Sequence, residues 1–429
     1  MRTDEHPLDR KPLLSLYSLM TRILPSPTLA TPGATGTPAR PRVPLAPVLS
    51  VASFTHGGTV APERLPSVLD AGPVLLVTSG RIAIGMALRE MELKPGDAML
   101  VPAWHTQSMV APLLWAGVQP VFYDVGPDGA VAIQELARRR TPAVRALMAT
   151  HYFGFHQDMA ALRAWCDASG LQLLEDCAHC WFGEVQGRPA GAWGDYAIAS
   201  SMKFYPTYEG GCLVSARHAL RAPAPRGAGV GFEAKAAMGA LERAFGYGRL
   251  QGLELLLALP MALKRVLWKR AKAKQAGAPA ALAPDSSDSS VRFEPAWLDR
   301  RSALFSRIVL RLSSAQRIVQ QRRANYARLA DALAGLPGCR PLHPCLPEDV
   351  CPWVFPLVAE HPEALFAALR ARGVPLVRFA EMRDPGASVD AFPHSAALVR
   401  QVLAFPIHQE LRADEAAWLC TTIREAAGA

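Results

Sequence analysis

Lysine is scarce in this chain, with eight residues in 429, so the formal net charge of +9 rests mainly on arginines scattered along the sequence. Scattered arginine forms no basic stripe, which argues against a nucleic-acid face, although an anionic ligand would still be favoured. Charged residues make up only 19% and hydrophobic ones 50%, a balance that excludes a disordered chain and allows a real interior. Eight irregularly spaced cysteines are too few for a disulfide scaffold at this length and fit a reducing cytoplasm. The apolar patch Leu13-Leu14-Ser15-Leu16-Tyr17 is too short and too charged upstream to read as a signal peptide. No run reaches the roughly 18 apolar residues of a spanning helix. The length suggests a large domain and a smaller one.

The pattern along the chain divides it into four expected parts. Residues 1–45, rich in Pro, Thr and Arg, read as an N-terminal arm. Residues 46–217 alternate apolar runs (VLLV, AMLVP, VQPVFYDV, AVRALMATH, LQLLEDCA) with amphipathic stretches (RIAIGMALREM, MVAPLLWAG, MAALRAWCDASG). That alternation predicts an α/β domain with a mostly parallel sheet, whose chemistry belongs at the carboxyl ends of the strands. Residues 218–295 read as a helical insertion and linker. Within it, 253–274 pairs an apolar stretch with a basic end, and two readings stand: a weak peripheral contact with an anionic membrane surface, or a helix packed on the protein with a solvated end. Residues 296–429 predict long amphipathic helices and then a small α+β domain, with WVFPLVAE and VPLVRF as strands.

Three strand ends carry the candidate chemistry. Val77-Thr78-Ser79-Gly80-Arg81-Ile82 is a small-residue turn opening a helix, whose amides and dipole suit a phosphate, as an ordinary strand-to-helix turn would also look. In Leu173-Leu174-Glu175-Asp176-Cys177-Ala178-His179 two acids follow an apolar strand. A carboxylate there needs a cation, such as a protonated pyridine nitrogen, or several donors; capping the next helix is the plain alternative. In Ser200-Ser201-Met202-Lys203-Phe204-Tyr205-Pro206, Lys203 stands between an apolar strand and an aromatic run. Between Arg81 and Ala234 the only other lysine is Lys94, in a polar turn. Lysine can form a Schiff base where arginine cannot, although a lysine can also simply snorkel from a strand end.

Taken in order, SGRIAI, KPGDAMLVPAW, WAGVQPVFYDV, HYFG, EDCAH and GAWGDYAIASSMKFYPTYEGGCLVS make Val77 to Val214 similar to the pyridoxal 5′-phosphate (PLP)-dependent nucleotide-sugar aminotransferases of the DegT/DnrJ/StrS type. The chain resembles a divergent branch of that family. QQRRANYARL and LAFPIHQEL are more loosely similar. The resemblance implies a fold-type-I transferase with a mostly parallel seven-stranded sheet and a smaller C-terminal α+β domain. It also implies a cytoplasmic homodimer that aminates a keto-sugar, nucleotide-linked in the family, from an amino donor. Residue by residue, Lys203 is the Schiff-base lysine, and Asp176 pairs with the pyridine nitrogen so that the ring acts as an electron sink. His179 lies near the ring oxygen, and Gly80, Arg81 and Ser200 hold the phosphate. Thr106 stands where the family has a stacking aromatic, so Trp104 or His105 takes that place.

Cys177-Ala178-His179-Cys180 has the spacing of a redox or zinc pair, but no second pair accompanies it and it sits inside the Asp176 segment, so no metal is expected. Two other functions compete: a non-catalytic or regulatory protein on the same fold, and PLP chemistry on a non-sugar substrate. Retention of both Lys203 and Asp176 argues against the first.

Overall fold

The computed structural model describes residues 40–55, 65–258, 293–381, 384 and 386–428. Most of the expected arm, and residues 259–292 with the basic end of the 253–274 segment and the linker, lie outside them.

The central element is a seven-stranded sheet. Its strands are β1 (Val74–Val77), β2 (Ala98–Pro102), β3 (Gln119–Tyr123), β4 (Val144–Thr150), β5 (Gln172–Cys177), β8 (Tyr196–Ala199) and β9 (Gly211–Val214), with a two-stranded ribbon of β6 (Glu184–Val185) and β7 (Arg188–Pro189) between β5 and β8. The spatial order is β1-β9-β8-β5-β4-β2-β3. Pairings from β8 across to β3 are parallel, and β9 alone runs against both of its neighbours. This is the mostly parallel α/β sheet expected from the alternating pattern. Strands β2 and β8 are buried along their whole length, as apolar runs covered on both faces must be.

The intervening helices are α1 (Gly80–Glu90), α2 (Gln107–Trp115), α3 (Ile133–Arg139) and α4 (Met159–Ser169). Ser79 caps α1, its hydroxyl accepting from Ile82 N at 3.2 Å. Helix α4 starts at Asp158, which accepts from Ala161 N, and ends at Gly170 in the left-handed conformation, φ 65°.

Helix α5 (Val230–Gly246) and a helical stretch at 251–258 follow. The helical pattern after residue 300 resolves into α6 (Leu304–Leu312) and α7 (Ala315–Ala332), broken where Ser314 turns its hydroxyl to Arg317 N. The C-terminal part holds a three-stranded sheet, β10 (Cys339–Pro341), β11 (Val354–Ala359) and β12 (Val402–Pro406), with α8 (Pro362–Ala371), α9 (Pro393–Gln401) and α10 (Ala413–Ala426). The expected strand VPLVRF is not one: it makes a single bridge, Val377 to Ala404. Pro375 removes a ladder donor there, and Arg378 is drawn aside to Glu363 and Pro362 O. One apolar cluster runs through both sheets. Among the described residues no helix is long and apolar enough to cross a membrane.

Candidate active site

Strands β5 and β8 are parallel neighbours, with Asp176 in register with Ile198 and Cys177 with Ala199. Their carboxyl ends therefore open side by side. Asp176 stands at the end of β5, and Lys203 closes a short 3-10 turn, Ser201–Lys203, directly after β8.

Asp176 is buried, with Oδ1 accepting from Ala178 N at 2.9 Å and Oδ2 from Thr150 Oγ1 at 3.3 Å. Burial is the largest influence on its carboxyl and raises it above the ordinary range. The Ala178 amide, the charge of Lys203, the Thr150 hydroxyl and His151 oppose that rise. The carboxylate is therefore short of positive charge, and Lys203 lies close enough to supply some. Lys203 Nζ also sits 4.8 Å from the centroid of the Trp353 ring.

His179 is buried between rings. Trp353 stacks on it at 4.0 Å and Phe153 lies parallel at 5.8 Å, with the edge of Phe379 at 4.9 Å. Its Nδ1 accepts from Phe153 N at 3.4 Å, so the proton of the neutral ring sits on Nε2. Burial, then the Lys203 charge, hold its pKa well below the ordinary value. Phe153 reaches this position with φ 58°, a strained conformation for a bulky residue, and its carbonyl accepts from Trp353 N at 2.7 Å.

The turn opening α1 faces the same strand ends. A Cβ placed on Gly80 would meet Ser200 Cβ at 3.6 Å, so these two expected anion-binding residues are adjacent. Arg81 follows Gly80 in the first turn of α1. The structure thus brings together Lys203, Asp176 and His179, and separately Gly80 with Ser200. Trp104 lies one ring farther out, stacked on Tyr152 at 4.4 Å and edge-on to Phe153 and Phe379. His105 is turned away: it stacks on Phe122 at 4.7 Å, its Nδ1 is 3.0 Å from Pro102 O, and its Nε2 accepts from Asp384 N. Trp353, Phe379 and Phe153 were not singled out from sequence. Trp353 and Phe379 lie far along the chain, in stretches read only as strands, so no local signal pointed to them.

His151, Glu175 and Cys177 offer three ligand atoms within 4.8 Å of one another, but those atoms are already engaged. Glu175 accepts from His151 Nε2 at 3.0 Å and from the amides of Gly191, Trp193 and Gly194 at 2.7, 2.9 and 3.0 Å. Gln157 N donates to His151 Nδ1. Burial raises the Glu175 carboxyl, but His151 and these amides outweigh it and leave the group below its ordinary value. Burial pushes the Cys177 and Cys180 thiols well up, which makes them poor thiolate ligands.

Residues 62–259 match the DegT/DnrJ/EryC1/StrS aminotransferase family. The chain is 32% identical over 142 residues to GDP-perosamine synthase of Vibrio cholerae, covering 32% of this chain and 39% of that protein. It is 31% identical over 168 residues to dTDP-4-dehydro-2,3,6-trideoxy-D-glucose 4-aminotransferase of Saccharopolyspora spinosa, covering 38% and 41%. These matches span about two fifths of the curated relatives' length. Similar solved folds include DesV of S. venezuelae in complex with a ketimine intermediate (TM-score 0.58, 23% identity, 84% of this chain and 86% of that one). Another is the sugar aminotransferase CalS13 of Micromonospora echinospora (TM-score 0.58, 19% identity, 89% and 99%). The fold is therefore that of the fold-type-I sugar aminotransferases.

Proposed function

We propose that this chain, a member of the DegT/DnrJ/EryC1/StrS aminotransferase family over residues 62–259, is a PLP-dependent aminotransferase that aminates a keto-sugar carried on a nucleotide. The observation that carries this reading is that Asp176 and Lys203 stand at the carboxyl ends of adjacent parallel strands, with the Lys203 charge acting on the buried Asp176 carboxyl. The donor set fits the cofactor: a buried carboxylate in want of a cation, an amine beside it, and a helix-opening turn against Ser200 for an anion.

Bound there, PLP supplies an electron sink through which an amino group can leave one carbon and join another. Asp176 would hold the proton on the ring nitrogen. His179, with its proton on Nε2, is a donor suited to the ring oxygen. Gly80, Arg81 and Ser200 would bind the phosphate. Lys203 would anchor the cofactor through Nζ and, when released, carry the proton between the two carbons that exchange the amine. The relatives' names, perosamine synthase and a dTDP-keto-sugar aminotransferase, support a nucleotide-linked keto-sugar as acceptor and polysaccharide or cell-surface glycan synthesis as the setting. Glutamate is the donor to test first.

The same reading includes a cytoplasmic homodimer. Eight free thiols suit a reducing compartment. Leu304, Ile308 and Leu312, about half exposed along one side of α6, suit burial against a second copy. Among the described residues, membrane contact through 253–274 draws support from exposed Leu253, Leu255 and Leu256 alone, since residues beyond 258 are outside the described part.

One observation favours a second reading, a cofactor-free binding protein on this fold: Phe153, Trp353 and Phe379 pack ring on ring around His179 beside Lys203. An absorbance scan separates the two. Purified protein with PLP should show the visible band of lysine-bound cofactor, lose it with glutamate, and lack it in Lys203→Ala. A wild-type spectrum identical to that of Lys203→Ala would end the enzyme reading.

A further inference from the structure

Helix α7 sends one side chain to the back of the Lys203 turn. Arg322 is fully buried, and the four acceptors it meets are all neutral. Its Nη2 donates to Lys203 O at 2.8 Å, its Nη1 to Trp353 O at 2.9 Å and more loosely to Pro352 O at 3.4 Å, and its Nε to Gln409 Oε1 at 3.1 Å. The guanidinium also lies over the Phe204 ring, 4.5 Å from its centroid. Gln409, buried beside it, donates Nε2 to Phe204 O at 2.8 Å. The backbone of Gln409 is itself held from α7, where Arg317 Nη2 donates to its carbonyl. Consecutive carbonyls, Lys203 and Phe204, are thus gripped by two side chains that are bonded to each other.

We infer that Arg322 and Gln409 are a positioning pair that sets the Lys203 amine against Trp353 and Asp176. This rests on the role proposed above for Lys203. Burying a cation that bonds no carboxylate among the described residues is costly, and an apolar side chain would fill the same space more cheaply if filling were all that was needed. What the guanidinium alone provides is a rigid planar fork that reaches several carbonyls at once, which a lysine's point charge cannot reproduce. Those carbonyls belong to the two peptides whose side chains meet at the site: Lys203, carrying the amine, and Trp353, carrying the ring beneath it. Burial pulls the guanidinium down to about 10, so it stays charged at neutral pH. One side chain therefore registers the strand-end turn of the large sheet against the start of β11.

The test uses Arg322→Lys, which keeps the charge and loses the fork, and Gln409→Met, which keeps the volume and loses the amide. In cofactor-free protein, Lys203 is pulse-labelled by reductive methylation and quantified by peptide mass spectrometry, with exposed Lys94 as internal reference. Displacing the turn should label Lys203 about fivefold faster relative to Lys94, and slow development of the lysine-bound PLP band about tenfold, since small misplacements of a reacting group are costly. Cofactor affinity by equilibrium dialysis should change less than about threefold, because the anion turn is untouched. If both variants fold and label and load as wild type does, or if they lose melting temperature alone, the pair is only structural. If Arg322→Lys does not fold, Gln409→Met decides alone. Should wild-type protein take up no PLP, the enzyme reading fails while the labelling ratio still decides the positioning claim.

Discussion

Gly211 lies so close to the turn that opens α1 that a Cβ built on it would stand 2.6 Å from Gly80 N and 2.5 Å from the carbonyl carbon of Ser79. The neighbouring Gly210 donates its amide to Thr78 O at 2.9 Å and pairs with Ser79. The two glycines after Glu209 thus press β9 flush against the proposed phosphate turn. Gly211→Ala must push that turn away. The expected cost is about 1–3 kcal/mol of stability from overpacking. PLP and inorganic phosphate should both bind about tenfold more weakly for each 1.4 kcal/mol that the displaced amides lose. Urea unfolding and phosphate competition measure the two effects; a variant that binds phosphate normally would show the turn is not the anion site.

Asp176 gives opposite expectations for the free and the loaded protein. In cofactor-free protein Asp176→Asn removes a carboxylate that burial disfavours, while its oxygen can still accept from Ala178 N and its NH2 can donate to the Thr150 hydroxyl oxygen. Stability should be unchanged or rise by about 1 kcal/mol. Once a pyridinium faces it, the lost charge should cost about 3 kcal/mol, or roughly a hundredfold in aminotransfer rate. Melting curves without cofactor and kcat with it check the pair. A destabilised apo variant with ordinary kcat would reverse the assignment.

The sheet was legible because its strands are long apolar runs broken by small-residue turns, and strand ends in such sheets gather chemistry. LQLLEDC reads as a buried strand with acids at its end, and β5 is that strand. Neighbouring acids point to opposite faces of a strand, so periodicity alone could not say which of Glu175 and Asp176 faces Lys203. Resemblance to known sequences pointed to Asp176. Trp353 and Arg322 were beyond reach for a different reason. Arg322 bonds backbone carbonyls, which leave no trace in residue type, and both act across some 120 to 150 residues of chain. His105 stacks on Phe122, because adjacency to Trp104 in sequence says nothing of which way a turn aims each ring.

Glu209 should make stability fall with rising pH. Its Oε1 accepts from Ser302 Oγ at 2.8 Å and Ala303 N at 3.0 Å, yet burial dominates and pushes the carboxyl from 4.5 up to about 7. The folded protein keeps a proton that the unfolded chain has already released. This contribution is therefore complete below the unfolded value of 4.5 and disappears as pH climbs through about 7. The shift corresponds to roughly 3 kcal/mol. Glu209→Gln cannot ionise and keeps the accepting oxygen, so it should be more stable than wild type at about pH 8 and lose less between about pH 5 and 8. Urea midpoints at the two pH values decide, and parallel pH profiles would contradict the expectation.

Glu175 is the opposite case, a buried acid whose charge the fold requires. Three amides from the Gly191–Gly194 segment and His151 Nε2 all donate to it, tying the GAWGD segment to the strand that carries Asp176. Its carboxyl lies below the ordinary value, so its contribution is present above the unfolded pKa and is lost as pH falls through the lowered one. Glu175→Gln would turn an NH2 group toward amides that now donate to the carboxylate. The expected loss is about 3 kcal/mol, the upper part of the cost of leaving buried donors without their acceptor. Because the same atoms make up the His151, Glu175 and Cys177 cluster, a chelator should leave the wild-type urea midpoint unmoved. A midpoint that drops on chelation would reveal a bound ion, and a Glu175→Gln protein within about 1 kcal/mol of wild type would show that the amides do not need the charge.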